Sequence, residues 1–122
     1  ILSLHRNRSC FHHYCFFFLT GVRCAELIQP PSVTVQSGQR LTITCQVSYS
    51  LSDSRTNWIR QLAGKEMEWI GSVHIGHDTL YKDSLKNKFS ISSDSSSKTV
   101  TLQGQNVLSE DTAVYYCARG SQ

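Results

Sequence analysis

The chain has 122 residues, 39% of them hydrophobic, which suits a single domain able to bury roughly two-thirds of the surface its unfolded chain exposes. Its formal net charge of +3 is unevenly placed: Arg6, Arg8 and Arg23 precede residue 25, and from there five Lys and four Arg balance all nine acidic residues. A formally neutral body gives no electrostatic case for nucleic acid, and the sequence holds no Gly-rich phosphate loop, nucleophile elbow or paired carboxylates to support catalysis.

Residues 1–24 precede any strand-like alternation. They hold Cys10, Cys15 and Cys24, three of the five cysteines; setting the segment aside leaves Cys45 and Cys117, an even count. Cys10-Phe11-His12-His13-Tyr14-Cys15 has zinc-ligand types, but its spacing matches no standard finger and two ligands are adjacent, so no metal is expected. Asn7-Arg8-Ser9 is a glycosylation sequon. The run Phe16-Phe17-Phe18-Leu19 is too short to span a bilayer.

From Ala25 the chain alternates as strands do. Gln29-Pro30-Pro31 blocks early pairing and suits an edge. Ser32 to Val35 is a short strand, followed by the turn Gln36-Ser37-Gly38-Gln39. Leu41, Ile43, Cys45 and Val47 alternate with Thr42, Thr44 and Gln46, giving one buried and one wet face. Asn57 to Leu62 carries Trp58 inward, and Met67 to Gly71 follows the Ala63-Gly64-Lys65 turn. Lys88 to Ser93 buries Phe89 and Ile91, and Asp94 to Lys98 is a polar turn. Thr99 to Gln105 buries Val100 and Leu102 but meets Gly104, a bulge or thin spot that Val107 is expected to cover. Ser109-Glu110-Asp111 reads as a capped helical turn before the last strand.

Cys45, Trp58 and Cys117 come in the order that a two-sheet sandwich needs when one disulfide joins the sheets and an indole packs on it; Tyr115 stands two residues before the second cysteine. With Trp58-Ile59-Arg60-Gln61, Gly64-Lys65-Glu66-Met67-Glu68-Trp69-Ile70-Gly71 and Glu110 to Cys117, the chain from about Glu26 to Arg119 resembles the variable domain of an immunoglobulin heavy chain. The resemblance implies an all-β, V-type immunoglobulin β-sandwich of two antiparallel sheets in Greek-key order, with a Cys45–Cys117 disulfide and a core that includes Trp58, Tyr115, Leu102 and Ile43. The sequence stops at Gln122 without the Trp-Gly-x-Gly strand that would complete such a domain. Residues 25–122 therefore resemble a germline V segment that lacks the final strand and ends at the start of the third loop, leaving an unpaired strand edge. Residues 1–24 resemble a heavy-chain leader, as a signal peptide or translated leader intron, removed or disordered, with cleavage near Cys24 or Ala25.

The resemblance also assigns surfaces. Antigen recognition would use loops at one end of the sandwich: Tyr49, Ser50, Leu51, Ser52, Asp53, Ser54 and Arg55; then Val73, His74, Ile75, Gly76, His77, Asp78 and Thr79; and a third loop opening at Arg119. His74 and His77 are expected as exposed loop side chains without a completing metal ligand. Strand parity turns Ile59, Gln61, Met67, Trp69 and Tyr116 away from the core, and the resemblance names their partner as a light-chain variable domain, with Gln61 placed for an amide pair and Glu66 on the rim. Arg60, Glu68, Lys88 and Asp111 match the family's structural charge cluster. No cofactor is implied. The wider expectation is an extracellular chain, secreted or at the plasma membrane within an immunoglobulin or B-cell receptor and joined to constant domains. A variable-type domain of an innate or adhesion receptor is the alternative.

Overall fold

The computed structural model describes residues 13–18, 21–27, 32–33 and 38–120. The sequon at residues 7–9, Cys10 and His12 of the zinc reading, and Gln29-Pro30-Pro31 lie outside them. Among the described residues there are ten strands: β1 His13–Phe18, β2 Gly21–Leu27, β3 Ser32–Val33, β4 Gln39–Gln46, β5 Thr56–Leu62, β6 Met67–His74, β7 Asp78–Tyr81, β8 Phe89–Asp94, β9 Thr99–Val107 and β10 Ala113–Gly120. One sheet runs β1-β2-β10-β5-β6-β7, with β3 also on β10; the other runs β4-β9-β8. Every pairing is antiparallel.

The period-two pattern read in the sequence decides which face goes inward. Along β4, Leu41, Ile43 and Cys45 are buried while Thr42, Thr44 and Gln46 are exposed. The two inner faces meet in one core where Trp58, Val100, Leu102, Val107, Tyr115 and Cys117 are fully enclosed and Ile43 is buried beside them. A Cys45–Cys117 disulfide joins the sheets, its Cα atoms 6.5 Å apart, and Trp58 is the direct cross-strand neighbour of Cys117. The Trp58 indole N–H is the one buried side-chain polar group without a hydrogen-bond partner among the described residues.

Gly104 borders a β-bulge, as expected, and is not a thin spot. It pairs with both Leu41 and Phe89, and a Cβ there would stand 3.0 Å from Phe89 Cε1 and 3.2 Å from Val107 Cγ2, so those two side chains occupy the space. The register shift between Gln39 and Leu41 lies opposite the stretch from Gly104 to Val107, which holds one extra residue and where Asn106 has φ 50°. Gly71 is tighter still: a Cβ would lie 2.5 Å from the Leu80 carbonyl oxygen and 2.9 Å from Ile91 Cδ1. Because backbone cannot swing aside as a side chain can, Gly71→Ala is expected to cost about 1–3 kcal/mol, measured by urea unfolding.

Two features depart from the sequence reading. The segment 73–79 is not all loop: Asp78–Tyr81 forms β7 on β6. The N-terminal residues, expected apart from the sandwich, pair as a hairpin, and β2 joins β10 at Ala118↔Leu27, Arg119↔Glu26 and Gly120↔Ala25. The edge of β10 expected to be unpaired therefore carries β2 at one end and β3 at Ala113 and Val114. Tyr14, Phe16, Phe17, Phe18 and Val22 give this hairpin high strand propensity, and open backbone groups on β10 give it a template.

Candidate functional site

The connections β4–β5 and β6–β7 meet at one end of the sandwich and are held from below. Tyr49 and Leu51 are buried; the Tyr49 hydroxyl shares a 2.7 Å hydrogen bond with Thr56 Oγ1, and the Leu51 carbonyl accepts from the Ile75 amide at 3.3 Å. Val73 is buried as well. These three, read from the sequence as contact residues, are corrected to anchors: apolar side chains pinned in the core fix where the exposed part of each loop begins.

Above the anchors the loops are tied by polar contacts. Arg55 forms an ion pair with Asp78 and donates from Nη1 to Ser72 Oγ at 3.0 Å. Arg119 donates from Nε to Ser54 Oγ at 2.9 Å, its guanidinium 4.8 Å from the Tyr49 ring centroid. His74 is half-buried rather than exposed; its Nε2 lies 2.9 Å from the Ser52 carbonyl oxygen, and its ring stacks on His77 at 4.1 Å. No group of three or more His, Cys, Asp or Glu among the described residues could hold a metal. What reaches solvent is a compact polar patch of Ser52, Asp53, Gly76, His77, Asp78 and Thr79, rimmed by the half-buried Ser50, Ser54, Arg55, Ile75 and Arg119. Hydroxyls, an imidazole and charges of both signs on fixed backbone suit noncovalent recognition.

At the opposite end lies a charge network. Arg60, almost wholly buried, donates to Glu68 Oε1 at 2.8 Å and to Asp111 Oδ1 at 3.0 Å. Lys88 reaches Asp111 Oδ2 at 2.6 Å and Lys82 reaches Glu68 Oε2 at 2.9 Å. Lys82 was missed in the sequence, because its 14-residue separation from Glu68 carries no local signal. Asp111 Oδ2 also accepts the Leu108 amide at 2.9 Å, closing the 3-10 turn Ser109–Asp111, and the Tyr115 hydroxyl donates to the Asp111 carbonyl at 2.7 Å. Burial pushes the Asp111 carboxyl up, but Lys88, the Leu108 amide and Arg60 outweigh it and hold the group below its ordinary range. Glu68 is likewise lowered against its burial by Lys82 and Arg60. Tyr115 is raised by burial.

The outward face of the larger sheet holds the third set. Ile59 is 1% exposed and Tyr116 6%, although neither belongs to the core cluster between the sheets. Met67, Trp69 and Gln61 are half-buried. Trp69 Nε1 donates to Asn57 Oδ1 at 3.2 Å, and the Gln61 amide donates to the Lys65 carbonyl at 3.2 Å, so that donor is engaged within the chain. Glu66 is exposed at the turn beside them.

Comparison with known proteins agrees with this geometry. The family model described as immunoglobulin V-set domain matches residues 28–122. An Ig heavy chain V region, XIG14, from Xenopus laevis is 40% identical over 110 residues, 89% of this chain and 82% of that relative. Two antiparallel sheets, a disulfide between them with a tryptophan alongside, a tyrosine bonded back to the preceding turn and these two matches lead to one assignment: the chain belongs to the immunoglobulin V-set family.

Proposed function

We propose that this domain recognises antigen as the variable segment of an immunoglobulin heavy chain, through noncovalent contact at the loop end of the sandwich. The observation that carries the reading is the division of labour in the two loops: Tyr49, Leu51 and Val73 are sealed in the core while Ser52, Asp53, His77 and Thr79 face outward. Outward side chains can then change without disturbing what holds the loops. The partner we assign is a light-chain variable domain, seated on the face of Ile59, Trp69 and Tyr116, because apolar and aromatic side chains opposite a core fit an interface. The setting that follows is extracellular, where a disulfide persists.

A display library of the full chain tests the loop surface. With Ser52, Asp53, His77 and Thr79 randomised and lysozyme as the probe, binders are expected whose melting temperatures stay within a few degrees of the parent. A matched library at the far-end turn Ser95, Ser96 and Ser97 is expected to yield none. Equal yield from both ends, or binding that persists when the loop residues are restored, would count against recognition by this end.

A further inference from the structure

The strand β7 ends the larger sheet. It pairs with β6 without a register shift, and Asp78, Thr79 and Leu80 are all exposed. Parity shows which backbone groups that leaves open. The Lys82 amide donates to the Ile70 carbonyl of β6 at 2.8 Å, and the register Ser72↔Leu80 turns the backbone of Leu80 the same way. Alternate residues of an antiparallel ladder face opposite edges, so the N–H and C=O groups of Thr79 and Tyr81 point off the sheet. The β8 edge of the smaller sheet differs. There the Ile91 amide, midway along the strand, donates to the Tyr81 hydroxyl at 2.9 Å, so that edge is capped from within the chain.

The open stretch is complementary to itself. Set antiparallel to a second copy about Leu80, Asp78-Thr79-Leu80-Tyr81-Lys82 brings Asp78 opposite Lys82 and Thr79 opposite Tyr81, each on both sides of the axis. The outward groups of Thr79 and Tyr81 then fall on hydrogen-bonded positions, and Leu80 meets its equivalent at the closer, non-hydrogen-bonded position. That contact takes from water one of the two large apolar side chains exposed among the described residues. Asp78 and Lys82 already pair with Arg55 and Glu68, yet their side chains stay 50% and 36% exposed, so each has room for a second counter-charge. A register one residue away loses both charge pairs and sets inward backbone groups against outward ones.

We propose that β7 is a self-association edge, on which a second copy of this chain lays its own β7 in antiparallel register and joins the two larger sheets into one. The proposal uses neither the antigen nor the light-chain reading. Four residues bury far less than the roughly 1,200–2,000 Å² of a stable interface. The contact is therefore weak between free chains and counts where copies are held close together.

Leu80→Cys and Leu108→Cys variants of the full chain test it, since the two leucines are almost equally exposed, at 43% and 41%. In the proposed pair the two Leu80 Cα atoms stand about 4.5 Å apart, within the range of about 4.4–6.8 Å that a disulfide spans. After incubation in a glutathione redox buffer, peptide mapping without reduction is expected to show Leu80→Cys linked to its own copy about tenfold more than Leu108→Cys. Equal yields overturn the proposal. Adding Thr79→Pro removes an amide that faces away from β6, and should bring the Leu80→Cys yield down to that of Leu108→Cys. An undiminished yield in a folded chain overturns pairing through this edge. Should Thr79→Pro fail to fold, hydrogen exchange on the parent decides instead. Exchange at Thr79 and Tyr81 that slows as protein concentration rises upholds the proposal, and rates independent of concentration overturn it.

Discussion

Asp111→Ala is expected to destabilise the domain by about 3–5 kcal/mol, as much as truncating a large core side chain. Asp111 is the shared partner of Arg60 and Lys88, and its side chain also caps the start of the 3-10 turn by accepting the Leu108 amide. Its removal leaves the Arg60 guanidinium enclosed with only Glu68 to balance it. Conservative Asp111→Asn restores shape and one acceptor but not charge, so it should fall between the parent and alanine. Both are read by urea unfolding at neutral pH. The same network sets the acid limit. Asp111 and Glu68 are lowered in the folded state, so their contribution is complete above the ordinary carboxylate range of about 4 and is lost as pH falls below it. The melting temperature of the parent should drop steeply under about pH 4, and that of Asp111→Ala less so. A pH profile of melting temperature unchanged by the substitution would show that the network carries no stability.

Removing the inter-sheet bridge comes second. Cys45 and Cys117 are 72 residues apart in sequence, and closing a loop of that length is worth about 4 kcal/mol in the chain-entropy model. The double substitution Cys45→Ala with Cys117→Ala is expected to lose that much, a large share of the 5–15 kcal/mol typical of a domain, and to leave a chain largely unfolded near 37 °C. Thermal unfolding followed by Trp58 fluorescence reports it, since the indole is fully enclosed and exposure shifts its emission to the red. Single substitutions should be no better than the double, because each leaves a lone thiol in the core. A melting temperature within a few degrees of the parent would mean that packing alone holds the sheets together.

Much of this architecture was legible because it is local or periodic. Alternation over Leu41 to Val47 declares a buried face in the sequence itself, and Cys45, Trp58, Tyr115 and Cys117 stand in the order that the resemblance to a heavy-chain variable domain made readable. The strand Asp78–Tyr81 was hidden because Asp78, Thr79 and Leu80 are all exposed, so no period of two marks them. Tyr49, Leu51 and Val73 were misplaced for the opposite reason: polar neighbours such as Ser50, Ser52 and His74 make the stretches read as solvated loops, and only tertiary contact shows which side chains turn inward. Lys82 joined the charge network through a long reach to Glu68 that no spacing rule anticipates. The Gln61 amide, expected to wait for a partner chain, had a carbonyl within reach four residues away. The hairpin 13–27 depends on pairing with β10, about ninety residues later, a contact whose closure cost leaves no trace in local pattern.

The central claim, that one sulfur bridge staples two sheets around Trp58, is tested most directly by non-reducing peptide mapping of the full chain. The expected result is a single cross-linked pair of peptides holding Cys45 and Cys117, resolved into two only after reduction. Cys45 or Cys117 found alkylated without reductant, or joined to Cys10, Cys15 or Cys24, would contradict it.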